Sequence, residues 1–322
     1  MNDAVPRDLV PTPSPLDSLD AFAPVGHLLE QTAAAFEGRG MPLARRWAET
    51  LMAAVLDVPH KELHAHAGRM LDPQQRRRFE EIARAASPEV PLAYVIGRAP
   101  FLDWDFEVSH DTLIPKVDTE LFVRAVLEEL ERRPLPPEPH VLELCTGSGC
   151  VAISLAKLLP GAQVAATDIS EEALAVARRN VARHGVEHRI ALEQGDLWEP
   201  VAALAKGCSF ALILSNPPYI PTQNIADMGR HVAEHEPHLA LDGGADGLDP
   251  HRRILDSAAD YLAPGGRLFL EHEWYHGAAA RALAERRPGH YEDVRTLPDT
   301  NGKDRALHAR RGVESAVVGQ AR

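Results

Sequence analysis

The chain of 322 residues has no run approaching the roughly 18 consecutive apolar residues of a membrane span. Its first residues, MNDAVPRDLVPTPSPLD, lack the basic start and apolar stretch of a secretory signal. Cysteine is scarce: Cys145, Cys150 and Cys208 are too few for a disulfide framework, and no two form a Cys-x-x-Cys metal pair. These absences point to a cytoplasmic protein without a membrane partner or a metal. Basic residues are also short, 34 against 47 acidic, for a net charge of −13. Grip on a nucleic-acid backbone needs Lys and Arg against phosphates, so no direct nucleic-acid partner is expected. An acidic surface instead favours a neutral or cationic substrate. The length leaves room for about two domains.

What is present begins with a proline-rich lead-in over 1–17, read as disordered. Three helical patterns over 18–88 suggest a small all-helical N-terminal domain. In the second pattern Leu43, Trp47, Leu51, Ala54 and Val55 fall on one face. The third opens with Asp72 as N-cap, Pro73 in the first turn and Gln75 completing a capping box. Over 89–115 the short pieces LAYVIG and FLDWDFEVS predict a β-hairpin or extended linker. From 116 to 312 strands and helices alternate, which predicts an α/β domain with a mostly parallel sheet covered on both faces. Residues 313–322 read as a tail. No internal repeat is visible.

Three places in the α/β part carry chemistry. The strand HVLEL (140–144) runs into Glu143-Leu-Cys-Thr-Gly-Ser-Gly-Cys150, where Gly147 and Gly149 let backbone approach a ligand and a helix start offers unpaired N–H groups. A tight turn alone would also explain these glycines. With Ala152 the loop also fits the nicotinamide-dinucleotide pattern G-x-G-x-x-A, so a dehydrogenase stays open on this motif. Asp168 ends the next strand, where a carboxylate can accept both hydroxyls of a ribose. Asp196 ends the third strand, facing an adenine or merely capping its loop. The third place is Ser215-Asn216-Pro217-Pro218-Tyr219, after the apolar strand FALIL. Two prolines remove N–H donors, so the turn presents carbonyl oxygens and the Asn216 amide as acceptors for a planar –NH2 group. Tyr219 supplies an aromatic wall. A dehydrogenase has no use for this slot, whereas a methyltransferase acting on an sp² nitrogen does.

Taken together, these motifs resemble the class I S-adenosylmethionine-dependent methyltransferases, and more specifically the HemK/PrmC family. That family methylates the side-chain amide of the glutamine in the Gly-Gly-Gln motif of peptide chain release factors. The resemblance also covers Pro91-Leu-Ala-Tyr-Val-Ile-Gly97 with Phe101, Leu113-Ile-Pro115, Thr119-Glu120, Glu236-Pro-His-Leu-Ala-Leu-Asp-Gly-Gly-Ala-Asp-Gly-Leu248, Pro264-Gly-Gly266 and Gly302-Lys-Asp-Arg305. It implies a Rossmann-like domain with a seven-stranded sheet, its last strand antiparallel, behind a helical N-terminal domain. It implies S-adenosylmethionine as cofactor. Cys145, Thr146, Gly147, Ser148 and Gly149 would hold its methionine end, Asp168 its ribose, and Asp196 and Leu197 its adenine, with Glu143 and Ile169 also on the cofactor side. Asn216 would border both cofactor and substrate. Asn216 and the Pro217 carbonyl would accept the two N–H groups of the substrate nitrogen, with Tyr219 beside it. Phe101, Thr119, Glu120, Pro218, Glu271 and Glu273 would line the substrate side.

Two segments depart from the family pattern. Ile114-Pro-Lys-Val-Asp-Thr-Glu120 carries Lys116 where the family has Arg, which loses bidentate geometry. Glu271-His-Glu-Trp-Tyr-His276 adds a carboxylate and two aromatics after the strand RLFLE, a composition suited to a cation. The alternative expectation is therefore the same mechanism acting on a small guanidino or amide compound such as free L-arginine. Adenine methylation of DNA shares the Asn-Pro-Pro-Tyr slot but needs a basic recognition surface. A non-catalytic binding module on this fold is the remaining possibility. His231, His235 and His238 are spaced like metal ligands but lack a fourth.

Overall fold

A computed structural model describes residues 16, 19–20, 22–205, 207–287, 289–299 and 302–313, and the chain divides into two compact units, 1–96 and 97–322. Most of the expected lead-in lies outside the described residues, but Leu16 within it is buried in a helical core and corrects that part of the expectation.

The first unit is helical: α1 (Val25–Gly38), α2 (Ala44–Leu56), α3 (Pro73–Ala85) and α4 (Leu92–Ile96). α3 is capped as its sequence predicts, with Asp72 Oδ1 accepting from the amides of Gln74 and Gln75, both at 2.8 Å, and the Gln75 side chain accepting from the Asp72 amide. The buried stripe of α2 is Ala44, Ala48, Leu51, Met52 and Leu56, displaced from the predicted one. Leu43 precedes the helix in a left-handed conformation (φ 53°) and is 71% exposed, so the stripe starts one residue later. α4 corrects the expectation of extended structure for LAYVIG. Pro91 presets the first turn and its carbonyl accepts from Tyr94 and Val95, which lets Val95 pack into the helical core. A short apolar run does not distinguish strand from helix by periodicity.

The second unit opens with a hairpin of β1 (Arg98–Phe101) and β2 (Trp104–Glu107), paired from Arg98↔Glu107 to Phe101↔Trp104. Then come α5 (Val117–Arg132), β3 (His140–Leu144), α6 (Cys150–Leu158), β4 (Gln163–Asp168), α7 (Glu171–His184), β5 (Ile190–Gln194), α8 (Val201–Ala205) and β6 (Phe210–Ser215). The rest is α9 (Arg230–Ala233), α10 (Asp249–Tyr261), β7 (Leu262–Glu271), α11 (Gly277–Glu285), β8 (Tyr291–Pro298) and β9 (Asp304–Arg311). The seven strands after the hairpin form one sheet in the order β5-β4-β3-β6-β7-β9-β8. Six point the same way, and the last strand, β9, runs antiparallel between β7 and β8.

Alternation along the strands builds two cores. Val141, Leu212, Leu214 and Phe269 pack with residues of α5, α6 and α7. Leu142, Leu144, Ile213, Leu268 and Leu270 pack with α8, α10 and α11 on the opposite face. Both faces of the central strands are covered, which explains why they read as near-continuous apolar runs. The chain order reverses between β3 and β6, whose neighbours lie on opposite sides. In an open sheet of this kind the crevice beyond the carboxyl ends of those strands is where ligands bind.

Candidate active site

β3, β4, β5 and β6 deliver Cys145, Asp168, Gly195 with Asp196, and Asn216 to the rim of one cavity at that reversal point. After β3 the backbone turns through left-handed conformations at Cys145 (φ 60°), Gly147 (φ 55°) and Gly149 (φ 79°). A Cβ at Gly149 would meet the Ala177 Cβ at 3.2 Å, so the glycine brings α6 close to α7. At Gly147 a Cβ would meet nothing within 4 Å, because the loop faces the open cavity. Glu143 is 2% exposed. Its Oε2 accepts from Thr146 Oγ1 at 2.5 Å and from the Ala152 amide at 3.0 Å, tying the loop to the first turn of α6. Burial pushes its carboxyl up to about 8 against those two bonds. Asp168 accepts from the amides of Gly147 (2.8 Å) and Ser170 (3.0 Å). Burial still raises its pKa.

Asn180 was not anticipated from sequence. It is fully buried, its Oδ1 accepts from the Glu107 amide at 2.7 Å, and its Nδ2 donates to the carbonyls of Glu107 and Ser148. One side chain on α7 therefore stitches the hairpin to the glycine loop. A polar residue on an otherwise apolar face of that helix was the available signal.

On the adenine side expected for Asp196, that carboxylate pairs with Arg253 at 2.8 Å, and Leu197 turns through φ 52°. Arg253 is a second residue the sequence did not reveal. Its carbonyl accepts from Trp198 Nε1, and Trp198 lies flat on Tyr261 with centroids 5.0 Å apart.

At the end of β6, Asn216 Nδ2 donates to Thr119 Oγ1 at 2.9 Å, and Thr119 donates to Glu271 Oε1 at 3.2 Å. Tyr219 OH lies 3.5 Å from the same oxygen. Thr119, Asn216 and Pro218 line the cavity, together with Thr146, Ser148, Ile169 and Leu197. Two glycines hold the Tyr219 backbone: a Cβ at Gly243 would fall 2.7 Å from Tyr219 Cα, and one at Gly247 would fall 2.3 Å from its carbonyl oxygen. That contact accounts for Asp242-Gly-Gly-Ala-Asp-Gly247 in the chain. Lys116 pairs with the buried carboxylate of Glu236, a one-to-one contact that a point charge serves without a bidentate fork.

Four expected substrate contacts are corrected. Phe101 is fully buried in the core, edge-on to Phe106. Glu120 Oε1 accepts from the Leu102 amide at 3.0 Å and so anchors the hairpin tip. Glu273 forms an ion pair with Arg305 at 3.0 Å and caps the Trp274 amide. Glu271 is 1% exposed, and burial and the nearby Asp118 push its carboxyl up to about 8. At neutral pH it is largely uncharged, so the Glu271–His276 segment offers no free anionic site for a guanidinium. Burial raises the thiols of Cys145 and Cys150 as well, the latter to about 12, so neither is a nucleophile at neutral pH. Among the described residues no three His, Cys, Asp or Glu side chains stand together as a metal site, and no helix is long and apolar enough to cross a membrane.

A seven-stranded sheet of this order with a glycine loop after its first central strand defines a class I methyltransferase. Residues 117–244 match the Methyltransferase small domain, and residues 27–97 match the PrmC N-terminal domain. The release factor glutamine methyltransferase of Moorella thermoacetica is 40% identical over 276 residues, which is 85% of this chain and 94% of that one. That of Geobacter sulfurreducens is 38% identical over 285 residues, 88% and 96% of the two chains. The crystal structure of a release-factor-specific protein-(glutamine-N5) methyltransferase from Alicyclobacillus acidocaldarius aligns with a TM-score of 0.40 at 28% identity, over 64% of this chain and 99% of that one. The chain belongs to the release factor glutamine methyltransferase family.

Proposed function

We propose that this protein transfers a methyl group from S-adenosylmethionine to the side-chain amide nitrogen of a glutamine in a peptide chain release factor. The observation that carries the reading is that Asn216 and Pro218 of the Asn216–Tyr219 turn line the same cavity as Cys145–Ser148 of the glycine loop; Pro217 and Tyr219 are not among the cavity's lining residues. The cavity fits the cofactor: an open glycine loop for the amino-acid end, the Asp168 carboxylate for a diol, and Asp196 with Leu197 for a planar base. When bound, S-adenosylmethionine supplies an electrophilic methyl on a sulfonium.

The chain's own residues do the rest. An amide nitrogen is a weak nucleophile because its lone pair is delocalised into the carbonyl. Asn216 Oδ1 and the Pro217 carbonyl accept its two N–H groups and hold it in one orientation, favouring the partly tetrahedral nitrogen of the transition state. Tyr219 walls the amide plane, and its hydroxyl stays protonated because burial and Glu271 raise its pKa well above the ordinary value. Acceleration then comes from positioning and from fixed dipoles. No strong base is needed, since the proton can leave after transfer. The substrate acts at the ribosome, so the reaction belongs to the cytoplasm.

The test is a transfer assay with methyl-labelled S-adenosylmethionine, offering release factor and free arginine in parallel. Label on the release factor that vanishes with Gln→Ala in its Gly-Gly-Gln motif is the expected result. Label on arginine and none on the release factor would overturn the substrate.

A further inference from the structure

We propose that Glu271 and Thr119 are positioning residues for this reaction: together they fix which end of the Asn216 amide faces the substrate nitrogen. The inference rests on the proposed acceptor role of Asn216, and it concerns how that role is enforced.

The two ends of an asparagine amide are nearly equal in size and opposite in polarity. Turned one way, Asn216 offers an oxygen to the substrate –NH2. Turned the other way, it offers a second –NH2, and donor meets donor. Sterics do not separate these states, so a hydrogen bond has to. Asn216 Nδ2 lies 2.9 Å from Thr119 Oγ1. Thr119 has one proton, which could go toward Asn216 and favour the wrong rotamer. It goes instead to Glu271 Oε1, 3.2 Å away, and the lone pairs of Thr119 are left to accept from Asn216. Oε1 stands within reach of the Tyr219 hydroxyl too, at 3.5 Å. Both amino acids that border the substrate slot are thus referred to a single carboxyl oxygen.

Oε1 must remain an acceptor for this to work. Glu271 Oε2 is buried and has no hydrogen-bond partner, which makes it the oxygen to carry the proton of the neutral acid. The groups that face this carboxyl are Thr119 and Asp118 of α5, Tyr219, and Arg305 of β9; Asp118 disfavours ionisation, while Arg305 and the hydroxyl bonds favour it. In either protonation state Oε1 accepts, so the orientation of Asn216 does not depend on ionisation. A glutamine turned with its oxygen toward the Thr119 and Tyr219 hydroxyls keeps such an acceptor; a methionine does not.

The experiment uses the full chain with release factor and cofactor, and compares Thr119→Val, Thr119→Ser, Glu271→Met and Glu271→Gln. Thr119→Val and Glu271→Met are expected to lower kcat roughly 10- to 100-fold with cofactor affinity held within about twofold. Thr119→Ser and Glu271→Gln are expected to restore most of the loss, with kcat–pH profiles matching wild type from about pH 6 to 9. Glu271→Gln as slow as Glu271→Met would assign Glu271 a charge or base role and overturn the proposal. A second readout needs no acceptor: exchange of the Asn216 side-chain amide protons, followed by nitrogen-15 NMR. Slow exchange in wild type and Glu271→Gln, with fast exchange in Thr119→Val, supports the relay even if release factor proves not to be the substrate. Equal exchange in wild type and Thr119→Val overturns it.

Discussion

Asn216 and Asp168 sit at the carboxyl ends of β6 and β4, the two parallel strands that flank β3, yet they answer to different tests. Asn216→Ala removes an oriented acceptor from the place where the substrate nitrogen would sit. It is expected to lower kcat about 100- to 1000-fold, as loss of a preorganised hydrogen-bonding group does elsewhere. Single-turnover transfer at saturating cofactor measures this directly, and a change confined to KM would contradict it. The role proposed for Asp168 lies with the cofactor instead. Its carboxylate already accepts from the Gly147 amide and so shapes the loop as well as facing the cavity. Replacing a charge-assisted acceptor, as in Asp168→Ala, should weaken cofactor binding about 10- to 100-fold by calorimetry. At this scale the sequence was legible where a side chain's partner lies a few residues away or on the next strand end. It was not legible where the partner arrives from far along the chain. Nothing near Glu273 announces that Arg305 will neutralise it, and nothing near Glu120 announces the Leu102 amide.

At the scale of elements, the sequence pattern identified the seven strands of the large sheet and the helices after β3 and β4, but not every boundary, nor the helical type of Leu92–Ile96. The stripe of α2 starts at Ala44 because Leu43 sits in a left-handed turn, a backbone choice that hydrophobic spacing does not encode. LAYVI forms a turn of helix because Pro91 precedes it and Val95 has a helical core to enter. Asn180 shows what such contacts are worth. Its three hydrogen bonds join β2 to the glycine loop across α7. Asn180→Leu is of similar volume but would leave the Glu107 amide and the Glu107 and Ser148 carbonyls without this partner, the last of them buried. A cost of about 2–4 kcal/mol in urea unfolding is expected, together with weaker cofactor binding, because Ser148 belongs to the loop. Unchanged stability with unchanged affinity would mean that the stitch is incidental.

Across the whole molecule the buried titratable groups set how stability depends on pH. Glu143 and Glu271 are both pushed up to about 8 by burial, from an ordinary value of 4.5. Their protons are therefore held by the folded state and released by the unfolded one between those two values, so their contribution is lost as pH rises toward 8. His251 and His308 do the reverse. Burial lowers them to about 3 and about 4, and each is held neutral with a ring nitrogen against a backbone carbonyl. Their contribution is lost as pH falls below the ordinary histidine value of 6.5. Between pH 4.5 and 6.5 the two pairs oppose one another and largely cancel. Above that range the histidines are neutral in both states, and the carboxyls act alone. Each pH unit then costs about 1.4 kcal/mol for each carboxyl at most, so unfolding free energy should fall by roughly 3 kcal/mol between pH 6.5 and 8. Glu271→Gln cannot ionise and should remove about half of that fall. Guanidinium unfolding of both proteins at the two pH values measures it, and a wild-type stability that is flat or rising across the interval would mean that these carboxyls are ionised in the fold at neutral pH.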